Sequence, residues 1–146
     1  YTDAAPNGLP AVRTGDDIAP SPPNVSIGDM QNAADDESEH LAYMRGLRLS
    51  VTADWAALAA SPVVRAFAFD TMENAVRGID RFSYNATGRE IIAHHVTRVM
   101  IEPSAKPTLT INTKTLIVTF NPGRGYEGRA SSRAIARALG SVLPRH

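Results

Sequence analysis

Asp70-Thr71-Met72-Glu73-Asn74-Ala75-Val76-Arg77-Gly78-Ile79-Asp80-Arg81-Phe82 decides the fold class. Asp70 and Glu73 stand at capping-box spacing, and Met72, Ala75, Val76, Ile79, Phe82 and Ala86 follow at the three-to-four-residue interval of one helix face. The stretch predicts a helix that starts at Asp70 and that Gly88 can end. Upstream, Trp55 to Leu58 and Val63 to Phe69 flank a turn at Ala60-Ser61-Pro62 and read as a hairpin, with Val63, Phe67 and Phe69 on one face. Downstream, Ile91 to Ile101 reads as a returning strand, Pro103 and Pro107 bracket a polar insertion, and Thr108 to Phe120 reads as one long strand rich in Thr, Ile, Leu and Val. Ala34 to Leu47 reads as a helix with acids Asp35, Asp36, Glu37 and Glu39 at its start. At the other end, Ser131 or Ser132 can cap a last helix whose Ile135, Leu139 and Val142 face inward while Arg133 and Arg137 form a basic ridge. The order predicts an α+β domain over residues 33–146, a four-stranded antiparallel sheet with helices packed on one face.

At 146 residues and 43% apolar, the chain holds one domain and an appendage. The appendage is residues 1–32, which carry five of the ten prolines, Pro6, Pro10, Pro20, Pro22 and Pro23, and no apolar periodicity. Such a segment buries too little to offset its ordering entropy alone, so it is expected to order on a partner. Charge is polarised. Residues 1–40 hold eight acids and Arg13, a net of −7, whereas residues 124–146 hold five arginines and Glu127, a net of +4. Thirteen arginines against two lysines favour bidentate contacts to carboxylate or phosphate, or reflect a GC-rich genome. The absence of cysteine excludes disulfides, thiolate catalysis and Cys-based metal sites, and no apolar run approaches the ~18 residues of a membrane span. A chain that begins at Tyr1 fits either a precursor processed on import into an organelle such as the mitochondrial matrix or a truncated piece; a cytoplasmic location is the alternative.

Two motifs carry candidate chemistry. Gly123-Arg124-Gly125-Tyr126-Glu127-Gly128 matches G-x-G-x-x-G between a strand and a helix, but only eighteen residues follow, too few for a dinucleotide-binding unit, so its glycines are expected to shape a loop. Glu90-Ile91-Ile92-Ala93-His94-His95 places two imidazoles side by side, suited to proton transfer near neutral pH. On a regular strand they point to opposite faces and cannot share a metal, so neither a metal nor a cofactor is expected. Asn85-Ala86-Thr87 is a formal glycosylation sequon at a helix end and reads as chance.

In this order, Trp55 to about Leu143 resembles the pterin-4a-carbinolamine dehydratase (4a-hydroxytetrahydrobiopterin dehydratase) family, hydro-lyases that remove water from 4a-hydroxytetrahydropterin. That family runs from a Trp through a strand ending in Phe-x-Phe, a helix, Glu-x-x-x-His-His-Pro-x-Trp, a strand ending in Thr-His and a Gly-containing loop before the last helix. Trp55, Phe67-Ala68-Phe69, the helix from Thr71, and Glu90 through His94-His95 follow the same order. In an active member the resemblance implies His94 and His95 as acid-base residues, with Glu90 orienting one of them. The chain departs at Val96 and Arg98, where the family has Pro and Trp, and in an insertion around Ile101 to Pro107. It departs again at Thr119-Phe120-Asn121, where a third histidine belongs, and at Ser132, where the last helix usually opens with Asp. Each general acid or base typically contributes about 10²- to 10⁴-fold, so the incomplete set implies poor turnover.

The expected function is therefore a non-catalytic, dehydratase-like accessory subunit of a large assembly, mitochondrial if the chain is imported, with its N-terminal arm on a protein partner. The alternative is an active dehydratase with a pterin ligand. A third reading is RNA contact through Arg124, Arg129, Arg133 and Arg137.

Overall fold

The computed structural model describes residues 25–59, 61–124 and 128–144. The proline-rich segment up to residue 24 and residues 125–127 of the glycine motif lie outside them. The order is α1 (Ile27–Arg45), β1 (Ser50–Ala53), α2 (Trp55–Leu58), α3 (Pro62–Phe82), α4 (Ala86–His95), β2 (Arg98–Pro103), β3 (Leu109–Asn112), β4 (Thr115–Phe120) and α5 (Ser132–Val142).

The expected hairpin over Trp55–Leu58 and Val63–Phe69 is helical instead. Ser61 is the N-cap of α3, its hydroxyl accepting from the Val64 amide, and Pro62 occupies the first turn, where its missing N–H costs nothing. Ala68, Met72, Ala75, Val76 and Ile79 then line one buried face. Asp70 caps nothing; it lies inside the helix and is 1% exposed. The β-forming preference of Val63, Phe67 and Phe69 yields to a cap and a continuous apolar stripe. The helix ends at Ser83, whose hydroxyl donates to the Ile79 carbonyl at 2.6 Å, and Asn85 caps α4 by accepting from the Gly88 amide at 2.8 Å. Gly88 thus belongs to the first turn of α4, and His94 and His95 to its last turn. The first helix also starts earlier than expected, at Ile27, because Ser26 and Asp29 form a reciprocal capping box within the stretch assigned to the arm.

The sheet has the order β1-β2-β4-β3, with β1–β2 and β2–β4 parallel and β3–β4 antiparallel. An α+β fold with four strands is present, but the sheet is mixed, not antiparallel. Helices α2 to α4 form the crossover between β1 and β2, a connection that lets the second strand run parallel to the first. Thr108 to Phe120 is two strands, because Thr113 and Lys114 adopt φ of 50° and 62° in a two-residue turn. Alternate residues Val51, Ala53, Val99, Ile101, Leu116 and Val118 are buried against the helices, while Thr52, Met100 and Ile117 on the other face are partly exposed. The outer edge of β1 is partly satisfied by α1: the Val51 amide donates to Ser38 Oγ at 3.0 Å.

Helix α3 crosses β2 and β4 and packs along α5. Gly78 permits the closest approach, since a Cβ there would stand 2.5 Å from Ile135 Cγ2. One turn back from Gly78, Asn74 Nδ2 donates to the Ala130 carbonyl at 3.2 Å, and one turn further Asp70 and Arg129 form a buried ion pair, with the Arg129 guanidinium 4.5 Å from the Phe67 ring centroid. Asp70→Ala leaves the Arg129 charge buried and should cost about 3–5 kcal/mol in urea unfolding, whereas Asp70→Leu with Arg129→Met should recover most of it. A single-variant loss under about 1 kcal/mol would contradict the burial.

Candidate functional site

Glu90, His94 and His95 do not enclose a site. Glu90 and His94 are exposed four residues apart along α4, and His95 is half-buried, its ring centroid 6.3 Å from that of His94. On a helix, neighbouring side chains diverge by about 100°, so the pair splays although the strand expected for it is absent. Of the arginines offered as partner contacts, Arg124 is exposed in the loop after β4, and Arg133 and Arg137 are exposed one turn apart on α5. Arg129 is the exception: only 2% exposed and paired with Asp70, it is committed to the interior and presents no surface charge.

A different constellation forms between α1 and α3. Arg65 Nε donates to the Val25 carbonyl at 2.7 Å, and Arg45 Nε pairs with Asp80 Oδ1 at 2.7 Å. Contacts at both ends in ascending order set the two helices side by side and running in the same direction. Between them lies a cavity of about 220 Å³ lined by Glu37, His40, Glu73, Val76, Arg77 and Asp80. Val76 is buried, Glu37, Glu73 and Asp80 are half-buried, and His40 and Arg77 are exposed. Helical spacing explains the grouping, with Glu37 and His40 three apart on α1 and Glu73, Arg77 and Asp80 at four and three on α3.

Burial raises the Glu37 carboxyl above its ordinary value of 4.5, against the lowering pull of His40 and Arg77. Glu73 is likewise raised, first by burial and then by the charges of Glu37 and Asp70, with Arg77 opposing. Neither carboxylate forms a hydrogen bond or close ion pair among the described residues; His40 and Arg77 attract Glu37 through space, and Arg77 attracts Glu73. Two desolvated carboxylates in a cleft are the kind of perturbed groups that concentrate at functional sites. In the sequence Glu37 belongs to the acidic start of a helix and Glu73 to a capping box. Their spacing within each helix was visible, but nothing in the chain order showed that the two helices meet.

Chemically, the cavity can hold a positive charge against Glu37 and Glu73, with His40 and Arg77 at its mouth. Among the described residues, no group of three or more His, Asp or Glu is placed to hold a metal ion, and no helix is long and apolar enough to cross a membrane.

The chain belongs to the family described as Domain of unknown function (DUF4908), whose model matches residues 1–139. The matched span takes in the proline-rich segment and every element through most of α5. Neither a curated protein nor a solved structure matches the chain.

A carboxyl raised in the folded state binds its proton more tightly there than in the unfolded chain, so its contribution to stability falls as pH rises through the window above 4.5. Glu37→Gln and Glu73→Gln should each raise the melting temperature at pH 7 and lose that advantage by pH 4. Equal effects at both pH values would contradict the desolvation of these carboxyls.

Proposed function

We propose that this domain is a partner-binding accessory module of a larger assembly, with its contact surface centred on the α1–α3 seam. One observation carries the reading: large side chains stand uncovered where that seam ends. Tyr43 is 89% exposed, Tyr84 75% and Met44 52%. Tyr84 stands beside a fixed polar centre, since the Arg45 guanidinium lies 5.7 Å from its ring centroid while pairing with Asp80, which lines the cavity. Tyrosine, methionine and arginine are the residues enriched at protein interfaces, and an aromatic anchor beside a polar site supplies contact area and orientation together.

A second reading is pterin-carbinolamine dehydration by the α4 residues. Its support is the Glu90–His94 spacing of one helical turn, with His95 adjacent. Against it, the exposure of His94 leaves that imidazole in water, where a general acid or base gains little from its surroundings.

The two readings separate in paired measurements. The accessory role predicts that the protein in a native extract elutes well above the size of its own purified monomer, and that Tyr43→Ala with Tyr84→Ala returns it to that size with the fold intact by circular dichroism. Purified protein should dehydrate 4a-hydroxytetrahydropterin no faster than the spontaneous reaction. Turnover well above that rate, abolished by His94→Ala and His95→Ala, would establish the second reading and overturn the first.

A further inference from the structure

We infer that the open face of the sheet docks a second copy of this chain, across a two-fold axis that runs along the row Thr52, Met100, Ile117 and Thr110. The contact shares no residue with the partner surface at the α1–α3 seam and stands independently of it. Strand pairing sets those four residues abreast across β1, β2, β4 and β3. Side chains alternate along a strand, so the row faces away from buried Val51, Val99 and Leu116, which the helices cover. All four residues are partly exposed, and Met100 and Ile117 put two large apolar side chains at the centre. Sheets of parallel strands are usually covered on both faces, yet here, with β1, β2 and β4 parallel, the second face is left open among the described residues.

The charges on this face are self-complementary, which selects a second copy as the occupant. Arg98 and Glu102 flank Met100 on the same strand and the same face, two positions to either side. About 13 Å of strand and the Met100 side chain separate them. Neither side chain has a hydrogen bond or ion pair among the described residues. A two-fold along the row sets β2 of the second copy antiparallel to β2 of the first, Met100 against Met100, so that each Arg98 meets the other copy's Glu102. Facing sheets pack about 30° off parallel, an offset that the length of the arginine side chain spans. The apolar row supplies contact, while the two ion pairs exclude the parallel arrangement, in which like charges would meet. Thr119 Oγ1 donates to the Lys106 carbonyl at 2.9 Å, so residues 104–107 form a ridge over one end of β4, and the two-fold lays that ridge against the small Thr115 of the second copy. Four strands about 4.8 Å apart and about five residues long give a footprint of roughly 300 Å² per copy. That is well under the about 800 Å² per partner of a tight complex, so the dimer is a weak, exchanging one that dissociates on dilution into an extract.

The test follows translational diffusion and ¹H–¹⁵N shifts of the purified full chain over a concentration series up to about 1 mM, the range in which weak contacts titrate. Diffusion should slow toward that of a dimer, with shifts gathered at residues 98–102 and 115–117. Arg98→Glu or Glu102→Arg alone sets like charges face to face and should weaken self-association by roughly tenfold. An equimolar mixture of those two variants should associate again, because one copy then presents only carboxylates where the other presents only guanidinium groups. The double variant, with the two charges exchanged, should dimerise like the parent. Monomer diffusion throughout the series overturns the inference, as does association undiminished in either single variant or a mixture no stronger than its components. Concentration-dependent shifts gathered at residues 109–112, or at Tyr43 and Tyr84, overturn it too, because another surface then pairs. NOEs from residues 1–24 to Met100 or Ile117 in dilute protein have the same force, since the chain itself then covers the face.

Discussion

The buried ion pair between Asp70 and Arg129 ties the helical crossover to the C-terminal part of the domain. The two groups come from positions 59 residues apart, and neither reaches water to any useful extent. Burying each charge costs several kcal/mol, which only the partner charge and added polar contacts can offset, so the pair tolerates little slippage. It therefore fixes where the chain leaving β4 meets α3. Phe67 stacks beneath the guanidinium on one side and Asn74 holds the Ala130 carbonyl on the other, so three successive turns of α3 grip residues 129–130. Ser131 then caps α5, and Ile135 enters the gap that Gly78 leaves on α3. With α3 fixed along its length, the stripe of Glu73, Arg77 and Asp80 is held toward α1.

How much of this was readable in the chain varies by element, for physical reasons. Helix α5 was, because Ser131 and the Ile135–Leu139 spacing are both local signals. The C-terminal two-thirds of α3 was as well. Its first turns are not legible, because Val63, Phe67 and Phe69 favour strands, and because Asp70 in front of Glu73 mimics a cap; a charged residue inside a buried helix face makes sense only once Arg129 is beside it. Strand β1 is four residues long, below the length at which alternation stands out. The β3–β4 turn uses Thr113 and Lys114 at positive φ, with neither glycine nor asparagine at its two central positions to mark it. Sheet direction depends on the same turns, since a helical crossover in place of a hairpin makes two of the strand pairings parallel.

The candidate site shows the same division between local and non-local information. Adjacent histidines draw attention in a sequence because they are contiguous, yet His94 and His95 finish a helix, the first exposed and the second half-buried. Glu37 and Glu73 are unremarkable in their own surroundings and acquire character only from the burial that the packing of α1 beside α3 imposes. The glycine motif behaves likewise: Gly128 is required because a Cβ there would stand 2.0 Å from the Asn121 carbonyl oxygen, a constraint of loop closure and not of phosphate approach.

The account depends most on α3 being one unbroken helix from Pro62 to Phe82, because that continuity places Asp70 in the interior and Glu73, Arg77 and Asp80 beside α1. Backbone ¹³C shifts and amide NOEs of the full chain test it directly. Helical Cα shifts without interruption from residue 63 to 81, with cross-strand contacts joining Val51 to Val99 and Val99 to Leu116, are the predicted result. Extended shifts over residues 63–69 with strand contacts to residues 55–58 would contradict the account and restore the hairpin.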